Sequence, residues 1–106
     1  MAYELFDSNF DNDLKIKDAE NFTLVIGYTN ECPRSRKMQN DLNEKNISYG
    51  EVNLRNNQMF LRKIALKLNL TSINMPLVLL FKDGEYTKRL SNSLPTAKIL
   101  MEMVKL

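Results

Sequence analysis

The chain contains no histidine, no tryptophan and a single cysteine, and only three glycines and three prolines fall among its 106 residues. Without histidine, serine–histidine and cysteine–histidine catalytic pairs are excluded, and so is imidazole ligation of a metal. One cysteine, Cys32, rules out a disulfide within the chain and any zinc site built on several thiolates. No stretch is rich enough in glycine, proline or serine to act as a linker, and no segment repeats. Long apolar runs are also missing: the longest, Leu77 to Phe81, is far too short to cross a bilayer. The opening MAYELFDSNF has neither a basic nor an apolar leader region. No secretory signal is therefore expected, and a reducing, cytoplasmic setting is. The two signs of charge nearly balance. The net charge of +2 arises from interspersed lysines and arginines, which predicts a solvated surface and no nucleic-acid partner.

What is present is ordinary globular material, with 43% hydrophobic and 26% charged residues, enough for one domain over residues 1–106 with a real core. Tyr3 and Leu5 alternate with polar neighbours and predict a short edge strand. Ser8 and Asp11 have the spacing of a capping box, predicting a helix that turns Phe10 and Leu14 inward. The run FTLVIGY, Phe22 to Tyr28, is apolar and rich in β-branched residues, as a strand buried on both faces requires. Pro33 suits the first position of a helix because its missing N–H would be unpaired there. That helix carries Met38 and Leu42 on its apolar stripe and ends at Asn46, which tolerates the left-handed conformation.

Ile47 to Leu54 predicts a second strand, parallel to the first because a helix connects them. A helix over Gln58 to Leu70 places Phe60, Ile64 and Leu68 on one face. Pro76 precedes the buried strand LVLLF, and Asp83-Gly84 predicts a tight hairpin that returns Glu85 to Leu90 antiparallel. A final helix from Ser93–Pro95 is expected to bury Ile99, Leu100, Met103 and Val104. Met38, Met59, Met101 and Met103 fall at helical spacing and are expected to pack in or around the core. The expected order is β-α-β-α-β-α-β-β-α, an α/β fold with a central mixed sheet of four to five strands flanked by helices.

The segment LVIGYTNECPRSRKM, followed by NDLNEKNISYGEVNL, resembles the active-site region of glutaredoxins, with Cys32-Pro33-Arg34-Ser35 at the Cys-Pro-x-Cys motif. The segments YELFDSNFDNDL and MPLVLLFKDGEYTKRL resemble thioredoxins. The chain is thus similar to the thioredoxin superfamily over nearly its whole length. The resemblance implies a thioredoxin fold, Cys32 as nucleophile, and Pro76 as the cis-proline beside it. Serine stands where the second, resolving cysteine would be. At the places of the thioredoxin tryptophan and buried aspartate the chain carries Glu31 and Ile26. The basic residue and the segment with which glutaredoxins hold glutathione are matched only by Thr29-Asn30-Glu31 and Leu90-Ser91-Asn92.

The chemistry follows from position. A sulfur at a helix amino terminus meets unpaired N–H groups and the positive end of the dipole, both of which favour the thiolate. Arg34, Arg36 and Lys37 add positive charge, Glu31 opposes them, and Ser35 is placed to donate a hydrogen bond. Cys32 and Ser35 are therefore the candidate catalytic residues. Pro33, Arg34, Met75, Pro76 and Tyr28 are the candidate substrate-binding residues, the Met75 backbone offering an N–H and a C=O to an extended peptide or to glutathione. No bound cofactor or metal is expected; glutathione is a candidate co-substrate, and protein thiols or disulfides are the candidate partners. A lone cysteine is also commonly just a small buried apolar residue. Two classes of function follow: a thiol–disulfide exchange protein working through one thiol, or a non-catalytic module that grips a partner in the groove around Cys32 and Pro76.

Overall fold

The apolar run before Cys32 becomes the central strand of the sheet. In a computed structural model describing residues 1–106, β2 (Leu24–Tyr28) runs parallel to β3 (Tyr49–Asn53) and antiparallel to β4 (Leu77–Lys82). The short β1 (Ala2–Leu5) adds parallel to β3, and β5 (Glu85–Leu90) adds antiparallel to β4, giving the five-stranded order β1-β3-β2-β4-β5. Three helices complete the fold: α1 (Pro33–Glu44), α2 (Gln58–Leu68) and α3 (Thr96–Val104).

The period of two along each strand sorts its residues between two cores. Leu24 and Ile26 of β2, with Val78 and Leu80 of β4, pack under Met38 and Leu42 of α1 and Ile99 of α3. Val25, Leu77, Leu79 and Phe81 face the other way, against Phe60 and Ile64 of α2. Helices thus cover both faces of the sheet, as its apolar central strands require. The β4–β5 hairpin turns at Asp83 and Gly84, both at positive φ (53° and 82°), which matches the twist of the flanking strands. A side chain at Gly84 would also strike the Asn21 carboxamide, 2.7 Å from an added Cβ.

The expected first helix is corrected. Asp7–Asn9 form one 3₁₀ turn, and the chain after it is irregular. The Asp11 carboxylate accepts the N–H groups of Asp13 and Lys15, each at 2.9 Å. Short acidic side chains compete in this way with helical backbone bonding. Leu14 takes a left-handed conformation (φ 63°) and Phe10 bridges to Ile16. Phe10 and Leu14 are nevertheless buried, so the apolar pattern marked the core but not the element. Three burial expectations also change: Val104, Met59 and Met101 are 85%, 60% and 52% exposed. At ~100° per residue, Val104 and Met101 lie on the opposite side of α3 from Ile99, and Met59 is well off the Phe60–Ile64 stripe.

The 3₁₀ turn is locked onto α2. The Asp7 carboxylate accepts the Phe60 N–H at 2.6 Å, and the Asp7 N–H donates to the Asn57 side-chain carbonyl at 2.9 Å. Asn57, itself buried, donates its amide to the Asn53 carbonyl. The amino end of α2 therefore finds its cap in Asp7, 53 positions before Phe60, rather than in its own preceding residue.

Candidate active site

Cys32 sits where the central strand hands over to α1. Its backbone is extended (φ −95°, ψ 109°), it occupies the cap position, and Pro33 fills the first turn. The loop from β2 is held from both sides. The Cys32 N–H donates to the Thr29 carbonyl at 3.3 Å, and the Arg36 guanidinium donates to the Asn30 carbonyl at 3.0 Å. No side chain caps the α1 amino terminus, so its N–H groups are available to the Cys32 sulfur. Cys32 is partly exposed, whereas Pro33 and Arg34 lie open on the surface.

Ser35 is fully buried, and its hydroxyl oxygen makes no hydrogen bond of good geometry with nitrogen, oxygen or sulfur. Donation from the Ser35 hydroxyl is the largest influence holding the Cys32 thiol below its ordinary range, and the Ser35 backbone N–H is next. Partial burial of the sulfur opposes them, while the Arg34 N–H and its guanidinium charge assist. The absence of a well-formed bond in the neutral state and the strong effect on the ionised state agree: a thiol is a poor acceptor and a thiolate a good one. Glu31, expected to oppose the thiolate, is paired to Arg55 at 2.8 Å on the surface.

The Met75–Pro76 peptide is cis, with Pro76 buried at the start of β4 and Met75 half-buried against the core under α2. The Met75 carbonyl accepts the Asn92 side-chain amide at 3.0 Å. Tyr28 ends β2 half-buried, opposite Asn53 of β3. Burial and the charges of Glu51 and Glu4 push its phenol up, and hydrogen bonding toward Asn53 opposes them. Its interactions run toward β3 and β1, whereas Cys32, Arg34 and Ser35 form one electrostatic unit.

An open groove of about 500 Å³ lies between α1 and the amino end of α3; Arg34, Lys37, Asp41, Asn92 and Pro95 are in its lining, Cys32 is not. Across it Thr96 contacts the Asp41 carboxylate at 3.5 Å. No group of three or more cysteine or acidic side chains converges on a metal position. No helix is long and apolar enough to cross a membrane.

Two polar residues gave no local signal in the sequence. Asn92 reaches Met75 over seventeen positions. Tyr49 is wholly buried in the core under α1 and α3, with a phenol oxygen that lacks a hydrogen-bond partner. Burial, and secondarily Glu51, push its ionisation far up, and hydrogen bonding toward Asn43 opposes them.

No protein-family model matches the chain, and no curated protein sequence does. Among solved structures it is similar to the thioredoxin of Fasciola hepatica, at 18% sequence identity, with a TM-score of 0.54 and 77% of each chain covered. At that identity the likeness is one of architecture. This chain, a mixed five-stranded sheet with helices on both faces, is a thioredoxin-fold protein.

Proposed function

We propose that the protein carries out thiol–disulfide exchange through Cys32 alone. The observation that carries this reading is the pairing of a partly exposed cysteine at an uncapped helix amino terminus with a buried serine hydroxyl that has no other partner. A buried, unsatisfied donor is costly in an inert site; it is accounted for if its acceptor is the Cys32 thiolate.

The Cys32 thiolate attacks one sulfur of a disulfide R–S–S–R′. A Cys32–S–S–R bond forms, the S–S bond of the substrate breaks, and R′S⁻ leaves and takes a proton from water. Helix N–H groups and Ser35 stabilise the attacking charge beforehand. Serine cannot break the mixed disulfide, so an external low-molecular-weight thiol, glutathione being the first candidate, attacks it and restores the Cys32 thiolate. The net change is exchange of one thiol for another in the disulfide, with no change in the oxidation state of the protein. Disulfides on proteins and small molecules are the substrates, and reduction of a protein's internal disulfide by a dithiol mechanism is not among the activities.

The test is turnover of a mixed disulfide in the presence of glutathione, with Cys32→Ser as the control. Turnover that vanishes in Cys32→Ser supports exchange. Equal rates with and without Cys32 would leave the site as a binding module that holds a partner without chemistry.

A further inference from the structure

We infer that Arg34 and Lys37 make Cys32 selective for small disulfides whose tails carry a carboxylate, over those with a cationic tail. The inference rests on the exchange reading above and adds its substrate class. The chain runs from Cys32 directly into Pro33 and Arg34, and these two residues line different grooves. Pro33 borders one shared with Arg36, Lys37, Glu31, Asp41 and Glu44, in which carboxylates outnumber cations. Arg34 borders the groove of about 500 Å³ along α1, where Lys37 and Lys45 join it and Asp41 is the one carboxylate. A disulfide whose sulfur reaches Cys32 has both grooves beside it, and they differ in charge.

Arg34 ties the cationic groove to the reacting atom, since its backbone N–H and its guanidinium charge both act on the Cys32 sulfur. Lys37 follows one turn later on α1 and lines the same groove. Both side chains are exposed, and neither enters any of the molecule's three ion pairs. Asp41 stands a further turn on, about 10 Å along the helix from Arg34, where it meets the Thr96 hydroxyl at 3.5 Å. The end of the groove nearest Cys32 is therefore cationic, and Glu31, the acid next to Cys32 in the chain, is held by Arg55. In about 0.1 M salt, a tail charge about 6 Å from one exposed cation gains or loses about a factor of two. Anionic and cationic tails then differ about fourfold per cation, and about fifteenfold with both.

The experiment measures adduct formation on reduced Cys32, without added thiol, from three symmetric disulfides: dithiodipropionate, bis-hydroxyethyl disulfide and cystamine. Each second-order rate constant is divided by that of the mercaptoethanol thiolate with the same disulfide. This cancels the leaving group and the repulsion from one negative sulfur. The expected order is anionic, neutral, cationic, with the extremes about fifteenfold apart in 0.1 M salt and nearly equal in about 1 M salt. Arg34→Gln and Lys37→Gln each narrow that ratio by about fourfold. A lower thiolate fraction in Arg34→Gln slows all three substrates equally and leaves the ratio to report the tail alone. Lys82→Gln loses the same charge at the end of β4 away from the Gly27–Leu77 pair that leads to Cys32, and should not move the ratio. An unchanged ratio in both groove variants, or an equal narrowing in Lys82→Gln, overturns the role of Arg34 and Lys37 and leaves exchange standing. A faster reaction with the cationic disulfide does the same. No adduct on Cys32 from any of the three, where the free thiolate reacts, overturns the exchange reading and this inference with it.

Discussion

Replacing Ser35 with alanine is expected to raise stability while lowering thiol reactivity. In the reduced protein the Ser35 hydroxyl is buried without a partner, and a group in that position costs about 1–3 kcal/mol. Removing one oxygen leaves the backbone and the helix stripe intact. The expected gain is about 1 kcal/mol, because a nearby neutral thiol already offsets part of the penalty. For a chain of 106 residues this is a rise in Tm of about 4 °C. The same change removes the leading influence that holds the Cys32 thiol down. A hydrogen bond to a charged acceptor is worth about 1.5–3 kcal/mol, and the partly exposed sulfur places Ser35 at the lower end. The thiolate fraction near neutral pH then falls about tenfold, and the iodoacetamide alkylation rate falls with it.

The two effects are linked through pH. The fold lowers the Cys32 thiol, so it binds the thiolate better than the thiol. The corresponding stabilisation is fully present above the ionisation range of an unfolded cysteine and is lost as pH falls through the folded value. The stability advantage of Ser35→Ala is therefore largest at low pH and narrows as Cys32 ionises. Thermal melts across pH, set beside alkylation rates in the same buffers, measure both. A variant that is less stable at neutral pH and alkylates as fast as the wild type would refute the reasoning, because Ser35 would then be an ordinary packing residue.

Tyr49→Phe removes the other buried hydroxyl without a partner and should stabilise the protein by about 1 kcal/mol at neutral pH. The fold raises the Tyr49 ionisation, so its contribution is present below the unfolded value and lost as pH rises above it. Melts above pH ~10 should accordingly fall less steeply in the variant. Asp7→Ala deletes the cap that accepts the Phe60 N–H and should cost about 1–2 kcal/mol, read as a lower urea midpoint. Ser35→Cys supplies a thiol next to the nucleophile, and its mixed disulfide should resolve without added thiol.

Much of this site was legible because its determinants are local. A β-branched apolar run followed by Cys32-Pro33 specifies a buried strand ending at a helix start, and that is where the structure puts Cys32. Ser35 also shares the stripe of Met38 and Leu42 by its spacing, so its burial was open to the same periodicity. The first helix misled because Ser, Asp and Asn serve caps and turns with the same side chains; in Asp11 the turn use prevailed. The Asn92–Met75 and Asp7–Phe60 bonds join distant segments, and no pattern within either segment encodes them. Tyr49 lies in a strand that was legible, but its isolation depends on which residues of α1 and α3 close over it.

The central claim is that Cys32 attacks a disulfide and that nothing in the chain can release the product. Intact-mass measurement of the reduced protein after mixing with a mixed disulfide, in the absence of any added thiol, tests both halves together. The account predicts a stoichiometric adduct on Cys32 that persists until glutathione is added and then disappears. An unmodified Cys32, or an adduct that decays unaided, would contradict it.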